Sequence, residues 1–326
     1  MGLARFTFPH RNNLNAIVIT TINPPTEAVL KYIEIAKRED KWVVIVVGDL
    51  KTPHEPYEEL MRRGEIIYLS PKFQDEFFHD LSEAIGWNLS PRRSIGFLFA
   101  YQLGAKIIAS VDDDNIPYAN WGHNYLGRSL EVNVFKTSEP VSDPLFIVND
   151  QGLWHRGFPI ELVKERRIEY LGKKTVCPLV QASFWDGNPD IDALERLAFS
   201  SPQLICKRVK PFILANISPF NSQNTLFHRS VMKYYLLLTE VGRMDDIWGA
   251  YKMQKEIPFT VIYTEASVFQ KRNKHDLFKD LQDEMYGYKY ALDYIEDRHT
   301  LPKAAETLAN LYMRSFDNDD IKWRMV

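Results

Sequence analysis

Staples are scarce in this sequence. Two cysteines, Cys177 and Cys206, stand among 326 residues, with the spacing of neither a zinc site nor a disulfide framework. They suit buried thiols in a reducing compartment. No apolar run is long enough to span a bilayer and no signal peptide is evident, so the cytoplasm is the expected location. The alternative is the Golgi lumen, if the chain is a trimmed luminal domain; the sequons at Asn88 and Asn216 are too common to decide. A basic excess is missing as well: 40 Lys and Arg against 43 Asp and Glu give a formal charge of −3. That leaves no electrostatic footprint for nucleic acid. There is no charge block, internal repeat or low-complexity stretch. The first apolar strand lacks a glycine-rich phosphate loop after it, which argues against a dinucleotide-binding Rossmann fold and a Walker NTPase.

What is present is an apolar fraction of 45% in a chain long enough for a sizeable core. Ala16–Asn23, Trp42–Asp49 and Glu65–Leu69 read as buried strands separated by helices, the first capped by Thr26 with Val29, Ile33 and Ala36 inward. That alternation means βαβ units and a mostly parallel sheet. Ala105–Asp114 extends it: an apolar strand that ends in Asp112, Asp113 and Asp114. Ligands of such sheets bind beyond the strands' carboxyl ends. Three crowded carboxylates repel one another, so a cation would relieve them, and hard oxygen ligands suit Mg²⁺ or Mn²⁺. The competing reading is a solvated acidic turn with one Asp capping the next element.

Ser90-Pro91 opens a helix that carries Arg92 and Arg93 in its first turn, where the dipole disfavours cations. A bound diphosphate would account for them, and so would a surface ion pair to Glu83 or Asp80. Tyr118–Trp154 is aromatic and loop-rich, with room for short strands. Val176–Ala182 is expected as a strand, Phe184–Asp190 as a turn-rich loop and Asp192–Leu197 as a helix. Ile213–Ile217 is read as a strand, Asn221–Arg229 as the lead into a helix over 231–238, and Phe259–Tyr263 as the last strand. Asp245 and Asp246 precede an apolar helix over 247–253, where acids usually cap. Helices over 275–297 and 302–316 close the chain.

Several strings together resemble one family. Asp112-Asp-Asp, Trp154-His-Arg-Gly-Phe-Pro159, Trp185-Asp-Gly-Asn-Pro-Asp-Ile-Asp192, Asn224-Thr-Leu-Phe227 and Asp245-Asp-Ile-Trp-Gly249 occur in the order seen in STELLO-type glycosyltransferases. Lys271–Leu281 fits that pattern too. More distantly, the sequence is similar to reversibly glycosylated polypeptides, the plant UDP-arabinopyranose mutases. The plant STELLO proteins carry a transmembrane anchor that this sequence does not show.

The resemblance implies a GT-A α/β fold over residues 1–281, with a helical extension over 282–326. It implies a metal-dependent inverting transfer of sugar from a nucleotide-sugar donor, a UDP-sugar, to a glycan or other hydroxyl acceptor in glycan or polysaccharide synthesis. On that reading Asp112 and Asp114 hold Mn²⁺ or Mg²⁺, with His275 or His228 as a third ligand. Asp113, with Thr20, Asn23 and Asp49, lies where base and ribose bind. Arg92, Arg93 or Lys271 meets the diphosphate. Arg156 lines the sugar pocket, unless it is a buried arginine paired with an Asp. Asp246 is the expected base, ahead of Asp245. A sugar-nucleotide mutase and a non-catalytic scaffold for other synthases are the alternatives.

Overall fold

The computed structural model describes residues 13–200, 202–272 and 276–317. The N-terminal half follows the sequence pattern closely. Strands β1 (Asn15–Thr21), β2 (Trp42–Gly48) and β3 (Ile67–Leu69) alternate with helices α1 (Glu27–Arg38) and α2 (His54–Arg62). Helices α3 (Pro71–Phe77), α4 (His79–Ile85) and α5 (Arg93–Gln102) lead to β4 (Ile107–Val111). All pairings among β1 to β4 are parallel, and β2 and β4 are buried throughout. Such strands need a cover on both faces. The α5 helix lies on the Val18 and Val47 face, where Gly96 lets it sit flat. Tyr32 of α1 covers the opposite face, its ring against Trp121, which packs on Trp42. Thr26 caps α1 as expected, accepting from the Val29 N–H at 3.3 Å.

The second half holds β5 (Asn115–Pro117), β6 (Leu130–Lys136), α6 (Leu145–Val148), β7 (Glu169–Val176), β8 (Val180–Gly187) and α7 (Ala193–Ala198). It continues with β9 (Phe212–Leu214), β10 (Asn224–His228), α8 (Asp245–Glu256), β11 (Val261–Gln270), α9 (Leu277–Ile295) and α10 (Lys303–Ser315). The sheet order is β3-β2-β1-β4-β10-β8-β11-β9-β6-β7, with β5 paired to β11. Here β10 runs antiparallel to both β4 and β8, so the sheet is mixed beyond β4.

Several local expectations shift. Asn224–His228 is a central strand and not a helix lead-in. The expected strand over 176–182 is two strands, β7 ending at Val176 and β8 starting at Val180. β8 takes in Phe184–Gly187, expected as loop, because it is buried on both faces and shows no alternation to read. The boundary expected at 281/282 falls inside the 19-residue α9. Residues of α9 and α10, among them Ala291, Ile295, Leu308 and Tyr312, belong to the same apolar core as the sheet.

Helix α8 is held closely to the chain before it. A Cβ on Gly249 would overlap the backbone carbonyl oxygen of Leu236. Backbone cannot swing aside as a side chain can, so Gly249→Ala should destabilise by about 1–3 kcal/mol or more. A lowered urea midpoint at unchanged m-value is the expected result.

Candidate functional site

The acid triplet lies where β4 leaves the sheet, and each carboxylate faces a different neighbour. Asp113 turns to the end of β1, accepting from Thr21 Oγ1 at 2.5 Å and Asn23 Nδ2 at 2.9 Å. Asp112 accepts from Arg93 Nη2 at 2.6 Å. Asp114 is different. Its Oδ1 is buried with no hydrogen-bond partner among the described residues. Burial, then the charges of Asp112 and Asp113, push its carboxyl up to about 8. The nearby Tyr32 hydroxyl is likewise buried without a partner, and burial followed by Asp112 and Asp114 raises its pKa well above the ordinary value. This is a pocket of surplus negative charge with an open hard-oxygen donor. It suits a divalent cation better than a proton.

From Asp112 a chain of buried groups with alternating charge runs across the site. Arg93 donates to Thr20 Oγ1 and Ser110 Oγ, and to both the carbonyl and hydroxyl oxygens of Ser222. Ser222 in turn donates from its N–H to Asp246 Oδ2 at 2.8 Å. Arg156 Nη2 grips both oxygens of Asp246 at 2.9 and 3.0 Å, and its Nε donates to Asp190 at 3.0 Å. Asp190 accepts from Asn221 and lies 3.4 Å from Arg272. Burial raises the Asp190 pKa, but Arg156 and Arg272 outweigh it and hold the group below the usual carboxylate range. The buried Nε of Arg272 finds no partner among the described residues. The Arg272 charge also acts on Asp114, partly offsetting its acidic neighbours. Its neighbour Lys271 is exposed and donates its backbone N–H to the Asp114 carbonyl at 3.0 Å.

Set against these contacts, the expected site residues divide. Arg92 lies away from any diphosphate: it is fully buried, donating to Gln74, Ser82 and the Gly86 carbonyl, with Trp87 stacked at 3.4 Å. Arg93 does reach the site, but its donors are spent on fixing Asp112. Asp49 is buried and accepts from the backbone N–H groups of Leu50, Asn88 and Leu89, so it ties down a loop. Arg156 is the buried, paired arginine of the alternative reading. His228 is excluded as a ligand. It pairs with Ile107, at the far end of β4 from the triplet, roughly 13 Å away at 3.3 Å per residue. His275 lies outside the described residues. Among those residues no three His, Cys, Asp or Glu side chains converge as a metal cluster.

The acid pair also separates. Asp246, expected as the base, accepts five hydrogen bonds from Arg156, Ser222 and the Ile247 N–H. A carboxylate offers about four lone-pair sites, so nothing is left for a substrate hydroxyl. Among the described residues Asp245 accepts just two bonds, from the Asp246 N–H and from Ser90 Oγ, and burial followed by the Asp246 charge raises it to about 6. Ser90 therefore serves Asp245 and does not cap α5. Asp190, Ser222 and Arg272 were not singled out from sequence; Asp190 and Arg272 lie within the motif strings, which was the available signal.

No family model matches the sequence. The chain is 25% identical to "Probable glycosyltransferase STELLO2" of Arabidopsis thaliana over 263 residues, covering 73% of this chain and 33% of that protein. STELLO1 of the same plant is 25% identical over 267 residues, with the same coverage. The chain thus spans about a third of the length of the curated relatives it matches. Among solved structures, glucosyl-3-phosphoglycerate synthase from Mycobacterium tuberculosis with phosphoglyceric acid aligns at a TM-score of 0.45 and 10% identity, covering 89% of this chain and 82% of that one. Its complex with Mn²⁺ and UDP-glucose gives 0.45 and 11%, covering 89% and 87%.

If Arg156 is a pin and not a sugar contact, removing it strands two buried carboxylates. Arg156→Met should cost about 3–5 kcal/mol of stability, the range for breaking a buried pair. Chemical denaturation is the measurement, and an unchanged midpoint would return Arg156 to the ligand. The motif strings and the alignment to the curated relatives agree: this chain is similar to the STELLO glycosyltransferases of plants.

Proposed function

We propose that this chain is a metal-dependent GT-A glycosyltransferase that moves a sugar from a UDP-sugar to an acceptor hydroxyl with inversion. The observation that carries the reading is Asp114, whose buried and unpartnered Oδ1 stands beside two further carboxylates at a strand's carboxyl end. The names of the curated relatives support it. Mn²⁺ or Mg²⁺ on Asp112 and Asp114 supplies the positive charge that a departing nucleoside diphosphate needs. Arg93 fixes Asp112 for that task. Lys271 and Arg272 flank the triplet as the cations available to the diphosphate, in place of Arg92 and Arg93.

Asp245 takes the base role from Asp246. It keeps acceptor capacity, and its raised pKa places its proton affinity nearer to neutrality, where general bases work well. Asp246 holds the turn that presents it. Among the described residues no helix is long and apolar enough to cross a membrane.

Two measurements test this reading. Asp114→Ala should abolish Mn²⁺-dependent binding of UDP-glucose in calorimetry while the chain stays folded; unchanged affinity and metal dependence would refute the metal assignment. Asp245→Asn should keep donor binding and lose transfer by on the order of 10²–10⁴-fold. Since a base works only when ionised, wild-type kcat/KM should be full above pH 6 and fall as pH drops through about 6. Near-normal turnover in Asp245→Asn would rule out the inverting mechanism drawn here.

A further inference from the structure

One cavity among the described residues is set apart from the acid triplet, none of whose members lines it. It measures about 490 Å³ and lies on the α1 face of the sheet, between β8, β10 and β11 and the segment over 119–125. That volume falls within the roughly 300–1,000 Å³ of small-molecule sites. Its floor is made by side chains that share one face of three adjacent strands. Gln181 and Ser183 alternate on β8, Thr264 is in register with Ser183 on β11, and Leu226 pairs with Gln181 on β10. The same strands turn Phe227 and Tyr263 to the other face, into the aromatic core.

This floor is polar where packing alone would make it apolar. A buried sheet face normally carries aliphatic side chains, and filling the space with them would gain contact energy. Instead the groups are tied to one another. Thr264 Oγ1 donates to Ser183 Oγ at 2.8 Å, and Gln181 Nε2 donates to Ser183 Oγ at 3.3 Å and to the His123 carbonyl at 2.9 Å. Gln181 Oε1 accepts the Tyr125 N–H at 3.0 Å, so the floor also holds the roof in place. His123 and Tyr125 set their rings edge to face, 4.9 Å apart, along the lining. At the rim Lys41 pairs with Glu39 at 3.0 Å, while Glu265 keeps its negative charge and accepts from the neutral Asn120 amide.

We propose that this cavity is a binding site for an uncharged saccharide, separate from the acid triplet. The Ser183 hydroxyl can donate to a sugar oxygen, and the Thr264 hydroxyl oxygen and Gln181 Oε1 keep room to accept a sugar hydroxyl. The rings of His123 and Tyr125, which line the cavity, offer apolar surface to the C–H groups of a sugar ring. The rim gives an anion such as a phosphate no net attraction. Because the cavity and the Arg93 network lie on opposite faces of the sheet, the site does not depend on the transfer reading.

The test uses the whole chain and three probes, cellobiose, lactose and xylobiose, each at about 10 mM, where a millimolar site is occupied. Saturation-transfer NMR should show binding of at least one probe to the wild-type protein and equally to Asp114→Ala. The paired change Ser183→Ala with Thr264→Val removes two mutually bonded hydroxyls and should weaken that binding at least tenfold. Ser183→Leu, which fills the floor, should abolish it. Melting curves identify any variant that fails to fold, and the paired variant then carries the test alone. Saturation passing from the wild-type protein to none of the probes would overturn the proposal. So would saturation transfer unaffected by a folded cavity variant, or saturation transfer lost in Asp114→Ala, which would put the sugar at the acid triplet.

Discussion

The site depends on one run of alternating charge, Asp112–Arg93–Ser222–Asp246–Arg156–Asp190–Arg272. Its members come from β4, α5, the loop before β10, α8 and three loops of the second half. Each buried ion loses hydration, and the neighbours repay it only when geometry and hydrogen bonding are close to complete. Here each inner member has partners on two sides. Asp114 stands beside this run, its buried Oδ1 without a partner among the described residues, and that opening is what the proposed metal site rests on.

This arrangement explains why the mixed sheet matters. β10 inserts antiparallel between β4 and β8, and so the loop before it, over 221–223, lies across the end of β4. The Gln223 carbonyl accepts the Asp112 N–H at 3.2 Å and Asn115 Nδ2 at 2.9 Å, fixing both ends of the triplet. Ser222 then faces Arg93 on one side and Asp246 on the other. A loop at the surface of a purely parallel sheet would have no reason to reach all of these groups. The strand that sequence reasoning read as a helix lead-in is therefore the element that joins the β1 to β4 half to the half carrying α8.

How much was legible follows from what is local. The β1 to β4 unit could be read because each strand is a continuous apolar run closed by a polar loop. The acid triplet could be read for the same reason. Arg92 and Arg93 could not be told apart, since neighbours in a helical turn point about 100° from each other. One enters the cluster of Gln74, Ser82 and Trp87, and the other reaches the end of β4. Asp245 and Asp246 present the same difficulty at the start of α8. Their chemistry is identical in sequence, and only the partners, which come from Ser90, Arg156 and Ser222, make one a pin and leave the other open.

The polar floor under the 119–125 segment marks a limit of pattern reading of another kind. β8 has no alternation because both of its faces are buried, yet its two faces meet different surroundings. Val180, Ala182 and Phe184 alternate with Gln181, Ser183 and Trp185 along one strand. From sequence alone the polar members look like interruptions of an apolar run. In the fold they meet Thr264 across the strand boundary and the roof over 119–125, and they become a surface. The strand's register, set by β10 and β11, gathers scattered polar residues on one face while Phe184, Phe227 and Tyr263 pack on the other. Aromatic packing on one face of these strands and mutually bonded polar side chains on the other thus coexist in a single register.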